Sequence, residues 1–317
     1  MILALAGGVG GAKLAAGLQA ALGAPDQLLT VVNTGDDFEH LGLSICPDLD
    51  TVMYTLSGRA NPETGWGLAG ESWHFLDALA VLGGESWFRL GDRDLATHVE
   101  RTHRMRAGES LSAVTADLAA RLGVPSRIAP MSDDPVRTVV ETGEGALPFQ
   151  EYFVRRRCEP AVRDLRFEGA PAARMSAAFE AALADPSLEG VIVCPSNPYL
   201  SVDPILAVPG VRAKLAACPA PVVGVSPIVG GRAIKGPAAK IMAELGVEAS
   251  ARTVAARYRD LLDGFVLDET DRALAPRIES ELAGLRVREE PTVMRGPDDR
   301  RRLAAGVLAF ARALRES

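Results

Sequence analysis

Four aspartates lie in a short stretch of this chain, directly after an apolar run at residues 28–32 that predicts a buried strand. They are Asp36, Asp37, Asp48 and Asp50. Hard cations such as Mg²⁺ bind one or two carboxylates together with substrate phosphate oxygens and water. Asp also serves readily in turns and helix caps, which is an equal alternative for the first three.

A glycine-rich turn near the start of the chain separates a predicted strand over residues 2–6 from a predicted helix over residues 14–22. Glycines allow the backbone to approach an anion, a helix N-terminus offers free N–H groups, and a lysine adds positive charge. The turn lacks a complete Walker pattern, so its sequence alone leaves a plain tight turn as an equal alternative. The candidate phosphate-binding residues are Gly7, Gly8, Gly10, Gly11 and Lys13.

Two later turns also follow apolar runs, at residues 190–194 and 221–225. In a parallel sheet, the carboxyl ends of the strands meet at one edge, where ligands bind. A phosphate-binding turn beside carboxylates favours metal-assisted phosphate chemistry, and two further loops at the same edge suit a dinucleotide-like donor. The polar and glycine residues of these two loops are Ser196, Asn197, Pro198, Gly230, Gly231 and Lys235.

Alternation of apolar runs with helical patterns predicts an α/β fold: a doubly wound, mostly parallel Rossmann-like sheet with a smaller, mainly helical inserted domain. The predicted core comprises residues 1–65 and 163–317, and the insertion comprises residues 66–162, interpreted as a lid or a dimer contact. Helices are predicted over residues 71–82, 90–102, 111–122, 175–183, 204–217, 238–245, 253–262 and 298–315, and a hairpin over 127–128 and 137–141.

Composition excludes several classes of protein. A net charge of −7 over 317 residues argues against nucleic-acid binding through a broad basic face. No apolar run reaches the length that spans a bilayer, so we expect no membrane partner and a cytoplasmic protein. The four cysteines lack metal-ligand spacing, and we expect Cys46 and Cys194 to be buried thiols. Trp66 and Trp73 are predicted to be core aromatics.

The motifs at residues 7–13, 33–37, 46–51, 195–198 and 226–237, in this order and spacing, resemble those of the 2-phospho-L-lactate transferase family. The resemblance covers nearly the whole chain. It implies a transferase that moves a phospholactyl, phosphoenolpyruvyl or phosphoglyceryl group from a guanosine diphosphate-linked donor to 7,8-didemethyl-8-hydroxy-5-deazariboflavin (Fo). GMP is released, and the product belongs to the synthesis of the deazaflavin coenzyme F-420.

The resemblance also assigns roles to individual residues. It implies that Asp50 contacts Fo or a magnesium site and that Arg89 contacts Fo. We therefore expect Mg²⁺ as the cofactor, with Asp37 and Asp50 as its ligands and as candidate catalytic groups. The donor's three-carbon acid stays open, and so does the oligomeric state, with a homodimer as one candidate.

Two other functions remain as alternatives. One is a non-catalytic regulator that binds a nucleotide-sugar, which resembles the gluconeogenesis-factor proteins; those follow the aspartate pair with a Gly- and Ser-rich segment, unlike residues 38–50 here. The other is an NAD-dependent oxidoreductase, which the departure of residues 7–11 from the dinucleotide pattern disfavours.

Overall fold

The computed structural model describes residues 1–316. In chain order its strands are β1 (Ile2–Ala6), β2 (Leu28–Val32), β3 (Phe38–His40), β4 (Leu43–Ile45), β5 (Arg127–Pro130), β6 (Arg137–Thr142), β7 (Gly145–Pro148), β8 (Val162–Glu168), β9 (Gly190–Val193), β10 (Val222–Val225), β11 (Ile228–Val229), β12 (Arg232–Ala233), β13 (Gly264–Asp268) and β14 (Arg286–Glu290).

Its α-helices are α1 (Gly8–Leu22), α2 (Pro47–Leu56), α3 (His74–Val81), α4 (Asp92–Arg106), α5 (Leu111–Leu122), α6 (Ala177–Ala184), α7 (Asp203–Ala207), α8 (Val211–Ala216), α9 (Ala238–Glu244), α10 (Ala251–Arg257), α11 (Ala275–Glu281) and α12 (Pro297–Arg315).

Seven strands form a parallel central sheet in the order β14-β13-β10-β9-β1-β2-β5. All five residues of β1 and of β2 are buried, as expected for strands covered on both faces. One apolar core contains residues of α1, α2, α5 and α12, and the other contains residues of α6 to α11. Helices on both faces confirm the doubly wound α/β fold.

Strand β1 lies between β2 on one side and β9 on the other. The strands that precede and follow this position in the sheet therefore connect in opposite directions. This is the switch point at which the loops after neighbouring strands diverge and leave a crevice for ligands. The loops that begin at Gly7 and Cys194 therefore flank the same crevice.

Residues 66–162 contain helices α3, α4 and α5, but also strands of two sheets. Strand β5 is an edge strand of the central sheet, while β6 pairs antiparallel with β7 and β8. The predicted hairpin between 127–128 and 137–141 is therefore wrong, because its two strands belong to different sheets. The division into a core and an insertion stays a prediction, with β5 lying inside the predicted insertion.

The helices predicted over 111–122 and 298–315 agree with α5 and α12, whereas the helix predicted over 253–262 ends at Arg257 in α10. The predicted helix over 204–217 is instead two helices, because Gly210 adopts a φ of 83° between them. The sequence analysis missed the hairpin β3-β4 and helix α2, although Pro47 at the first helical position is a start signal. In the part of the chain that the structure describes, no helix is long and apolar enough to cross a membrane.

Candidate active site

A cavity of about 530 Å³ lies at the carboxyl edge of the central sheet. Its walls come from the loops after β1, β2, β9 and β10 and from the start of α2. Residues of α4 and of the segment after β14 also reach it. The predicted site residues that line the cavity are Gly7, Gly8, Gly10, Lys13, Asp50, Arg89, Ser196, Asn197 and Lys235.

The glycine-rich segment predicted as a turn before residue 14 is mostly helical instead, because α1 begins at Gly8, and its glycines pack tightly against the loop after β9. A methyl group on Gly10 would lie 2.3 Å from the Pro195 carbonyl oxygen, and one on Gly11 would lie 2.4 Å from Ser196 Oγ. The Gly7 amide donates to the same Ser196 Oγ at 3.0 Å. The close approach of the start of α1 to this loop leaves no room for a side chain at Gly10 or Gly11. Gly11 itself does not line the cavity.

Asp48 joins the glycine turn to the aspartate stretch. Its Oδ1 accepts the Gly8 amide at 2.8 Å, and its Oδ2 accepts Asn33 Nδ2 at 3.0 Å. Burial raises the pKa of Asp48 to about 6, although these hydrogen bonds oppose the increase. Asp48 lies in the first turn of α2, so the helix start places it and Asp50 beside the N-terminus of α1.

Asp36 and Asp37 are buried after β2, and the Oδ1 atom of each has no hydrogen-bond partner among the described residues. Burial raises the pKa of Asp37 to about 7, with Arg137 opposing the increase. Burial and the neighbouring Asp48 raise the pKa of Asp36 well above its usual range. Asp36 lines the cavity and Asp37 does not. Arg137 and Arg101 offset only part of this buried negative charge, and a divalent cation would offset more of it.

Asp50 forms a buried ion pair with an arginine. Arg101 of α4 donates from Nη1 to Asp50 Oδ2 at 3.1 Å and from Nη2 to Oδ1. Both side chains are buried, at 5% and 1% exposure, yet only Asp50 lines the cavity. Asp50 keeps the pKa of Arg101 raised against the opposing effect of burial. The guanidinium therefore stays charged behind the carboxylate.

His98 and Asp94 of α4 extend this contact. His98 Nδ1 lies 3.7 Å from Asp50 Oδ2, and His98 Nε2 lies 3.4 Å from Asp94 Oδ2. The Tyr54 hydroxyl donates to Asp94 Oδ1 at 2.6 Å, which links α2 to α4. Asp50, Asp94 and His98 are grouped closely enough to hold a metal ion, and Asp37 is not among them.

The side of the cavity near α12 is cationic. Lys13 donates to the Met294 carbonyl at 2.9 Å, and Lys235 donates to the Thr64 carbonyl. Burial lowers the pKa of Lys13, and the positive charges of Arg300 and Lys235 lower it further. No carboxylate pairs with any of these three cations within residues 1–316. An anion is the partner that this arrangement accepts.

Aromatic rings form another wall. Phe149 and Phe153 stack with centroids 5.2 Å apart, and both line the cavity together with Phe88. Trp66 also lines it and is 44% exposed, so its prediction as a core residue is wrong. Arg89 lies over the ring of the half-buried Trp73 at 4.1 Å. This wall fits a planar, largely apolar ligand.

The remaining predicted residues serve the loops. Asn197 Oδ1 accepts the Tyr199 and Leu200 amides, which fixes the turn that begins at Pro198. Gly230 and Gly231 have φ values of 56° and 74° and form the turn between β11 and β12. Pro198, Gly230 and Gly231 do not line the cavity. Cys46 and Cys194 are buried, as predicted.

Sequence analysis missed Asp94, His98, Arg101, Asn33 and Arg300. Asp94, His98 and Arg101 recur at i, i+4 and i+7, a spacing that places them on one helical face. That spacing was a usable signal, but it does not identify the element that the face contacts.

Comparison with known proteins gives the family of this chain. The family described as "2-phospho-L-lactate transferase CofD" matches residues 2–292. The chain is 47% identical over 322 residues to a phosphoenolpyruvate transferase of Streptomyces avermitilis, covering 99% of each chain. It is 44% identical over 320 residues to one of Kitasatospora aureofaciens, covering 99% of this chain and 98% of the other. The corresponding identity for one of Mycobacterium tuberculosis is 39% over 321 residues, with 94% of each chain covered.

A crystal structure of a UPF0052 family member from Bacillus halodurans superposes with a TM-score of 0.60 at 14% identity, covering 97% of this chain and 98% of that one. At this identity the likeness shows the fold alone. The match over residues 2–292, together with relatives that share the full length, shows that the chain belongs to the 2-phospho-L-lactate transferase family.

Proposed function

We propose that this transferase moves a phosphoenolpyruvyl group from a guanosine diphosphate-linked donor to Fo and releases GMP, in coenzyme F-420 synthesis. The names of the relatives favour phosphoenolpyruvyl over phospholactyl or phosphoglyceryl. The observation that carries the proposal is a single cavity with a cationic side, an acidic floor and an aromatic wall. Each of these matches one part of the two substrates.

The donor is assigned to the glycine turn and the cationic side. Its diphosphate and the carboxylate of its three-carbon acid are anions, and Lys13, Lys235 and Arg300 lack carboxylate partners. The N-terminus of α1 adds its dipole, while the Gly7 and Gly8 amides themselves donate to Ser196 Oγ and Asp48 Oδ1. Asn197 Oδ1 already accepts backbone amides, so it is the Nδ2 group of Asn197 that would donate a hydrogen bond to the nucleotide.

Fo is assigned to the aromatic wall. The planar deazaflavin ring would lie against Phe88, Phe149 and Phe153, with Arg89 at the rim. Its ribityl chain would then reach Asp50 at the cavity floor. The terminal ribityl hydroxyl attacks the phosphorus that bears the three-carbon acid, and the bond from that phosphorus to the GMP oxygen breaks.

The chain's contribution is mainly positioning, as in other phosphoryl transfers. Asp50 lies in the cavity and accepts the proton of the attacking hydroxyl. Asp37, the other aspartate expected to be catalytic, has a pKa raised to about 7 by burial but does not line the cavity, so Asp50 is the base of this proposal. Lys13 and Lys235, which line the cavity, balance negative charge on the donor, and Arg300 adds positive charge from behind them.

Magnesium fits the acidic floor, because buried Asp36 lines the cavity with an unpartnered carboxylate oxygen. Asp50, Asp94 and His98, which also line the cavity and lie close enough together for a metal ion, are the residues that would hold it, whereas Asp37 does not line the cavity. When bound, Mg²⁺ neutralises charge on the phosphate oxygens of the donor.

The test is mass spectrometry of the products formed by purified protein with Fo, Mg²⁺ and each of three donors, carrying enolpyruvyl, lactyl or glyceryl groups. We expect the enolpyruvyl product together with GMP. Failure with all three donors would overturn the proposed function, whereas preference for the lactyl or glyceryl donor would revise only the three-carbon acid.

A further inference from the structure

A contribution to stability does not by itself explain why Arg101 is buried. It is 1% exposed, and it does not line the cavity. Burying an ion pair requires both charges to lose their hydration, and a well-packed apolar pair of the same size often gives equal or greater stability. A buried ion pair is therefore weak evidence of a stabilising role. Its partner Asp50, however, faces the ligand space.

The contacts of Arg101 fix the direction of the Asp50 carboxylate. Nη1 and Nη2 engage the two carboxylate oxygens, and Nη1 also lies 3.4 Å from the Ser44 carbonyl and 3.3 Å from Nδ1 of His98, which lines the cavity. The next residue, Thr102, accepts the Ser44 amide at 2.8 Å and donates to the His98 carbonyl at 2.6 Å. Helix α4 is thereby tied to β4 on one side and to Asp50 on the other.

We propose that Arg101 is a positioning residue for the transfer reaction and acts mainly through Asp50, whose two carboxylate oxygens it engages, with His98 as its other neighbour at the cavity. This inference rests on the proposed function, in which Asp50 meets the attacking hydroxyl. The two-pronged guanidinium contact leaves the outer lone pairs of the carboxylate directed at the ligand space and supplies the positive charge that a buried anion requires.

The test is a double-mutant cycle with Asp50→Asn, Arg101→Met and the combination, measured as kcat and as KM for Fo. Each single substitution is expected to lower kcat by about 100-fold, with little change in KM. The double variant should be no slower than Asp50→Asn alone, because Arg101 has no carboxylate left to orient. Arg104→Met is the matched control, since Arg104 lies on the same helix and pairs with Glu109 and Asp117.

Melting curves keep the test valid if Arg101→Met folds poorly. That variant leaves Asp50 buried without a countercharge, and the double variant should recover part of the decrease in melting temperature. Arg101→Lys, alone and with Asp50→Asn, provides a second cycle, because an ammonium keeps the positive charge but cannot engage both carboxylate oxygens as the guanidinium does. Decreases in kcat that multiply in the double variant, or an unchanged kcat for Arg101→Met, would overturn the inference. Absence of product from the wild-type protein would instead overturn the proposed function and the inference with it.

Discussion

Buried carboxylates give the metal-free protein a definite pH dependence. Burial raises the pKa of Asp37 to about 7 and that of Asp48 to about 6, far above the values in an unfolded chain. The folded state therefore binds more protons than the unfolded state between about pH 4 and pH 7. Stability from these groups is fully present at low pH and is lost as the pH rises through the folded pKa values.

We therefore expect the melting temperature in chelator to fall between pH 5 and pH 8. Asp37→Asn should flatten this dependence, whereas the same substitution at the exposed Asp26 should leave it unchanged. Added Mg²⁺ should raise the melting temperature more at pH 8 than at pH 5, since protons compete for the carboxylates. Melting curves across that pH range make the measurement, and a rising trend in chelator would contradict the prediction.

Arg89 is exposed at the cavity rim and packs over Trp73. Arg89→Ala should raise the KM for Fo by about 10-fold and leave kcat nearly unchanged, because it removes uniform binding. Steady-state kinetics with Fo varied is the measurement, with exposed Arg312→Ala as the control. A fall in kcat at constant KM would contradict a role in Fo binding and would indicate that Arg89 acts in the chemical step.

The sequence predicted Asp50 as a site residue but not its buried partner. Asp50 was identified through a family motif, and its entry into the cavity agrees with that role. Its partner Arg101 is 51 residues away in the chain, and no local pattern indicates that side chains of α4 contact those of α2. Lone-pair and countercharge requirements predict that a partner exists, but only tertiary packing selects it.

The glycine turn and the loop after β9 form one unit at the element scale. Gly10→Ala should lower the melting temperature and weaken donor binding together, because its methyl group would lie 2.3 Å from the Pro195 carbonyl oxygen. We expect a loss of roughly 1–3 kcal/mol, typical of overpacking. Gly190→Ala is the control, since its nearest atoms lie at 3.5 Å or more. Calorimetric titration with GDP and melting curves would decide, and equal behaviour of the two variants would refute the steric argument.

Element prediction succeeded where one periodicity dominates, as in the buried strands and α5. It failed at β5, whose short run Arg127–Pro130 carries no sign of the sheet it joins. It also failed at the hairpin β3-β4, because three-residue strands are too short for alternation to be recognised. Pairing over long sequence separations decided both cases.

At the scale of the molecule, parallel topology explains why widely separated motifs predicted one site. Strands that share a direction bring their carboxyl ends to one edge, so residues near 10, 50, 196 and 235 meet without any local signal. The cavity's aromatic wall was not foreseen, since Phe149 and Phe153 belong to a segment whose position depends on how β6, β7 and β8 dock.

Ligand dependence is the prediction for the whole molecule. Chelation should abolish turnover and Mg²⁺ should restore it, because the acidic floor requires a cation to accept a diphosphate. GDP should raise the melting temperature more than ADP at equal concentration. Full activity in metal-free buffer would contradict the metal prediction, and equal shifts with the two nucleotides would contradict guanine recognition.

The central place of β1 has a consequence during synthesis of the chain. One edge of β1 pairs with β2, which is complete by residue 32. The other edge can pair with β9 only after Gly190–Val193 has been synthesised. At a synthesis rate of about 5–20 residues per second, that edge stays without its partner strand for roughly 10 to 40 seconds. An unpaired apolar strand edge is a template for association with other chains. Ribosome-bound chains of this protein should therefore depend on chaperones until residue 193 has emerged, and a stall before that point should favour aggregation.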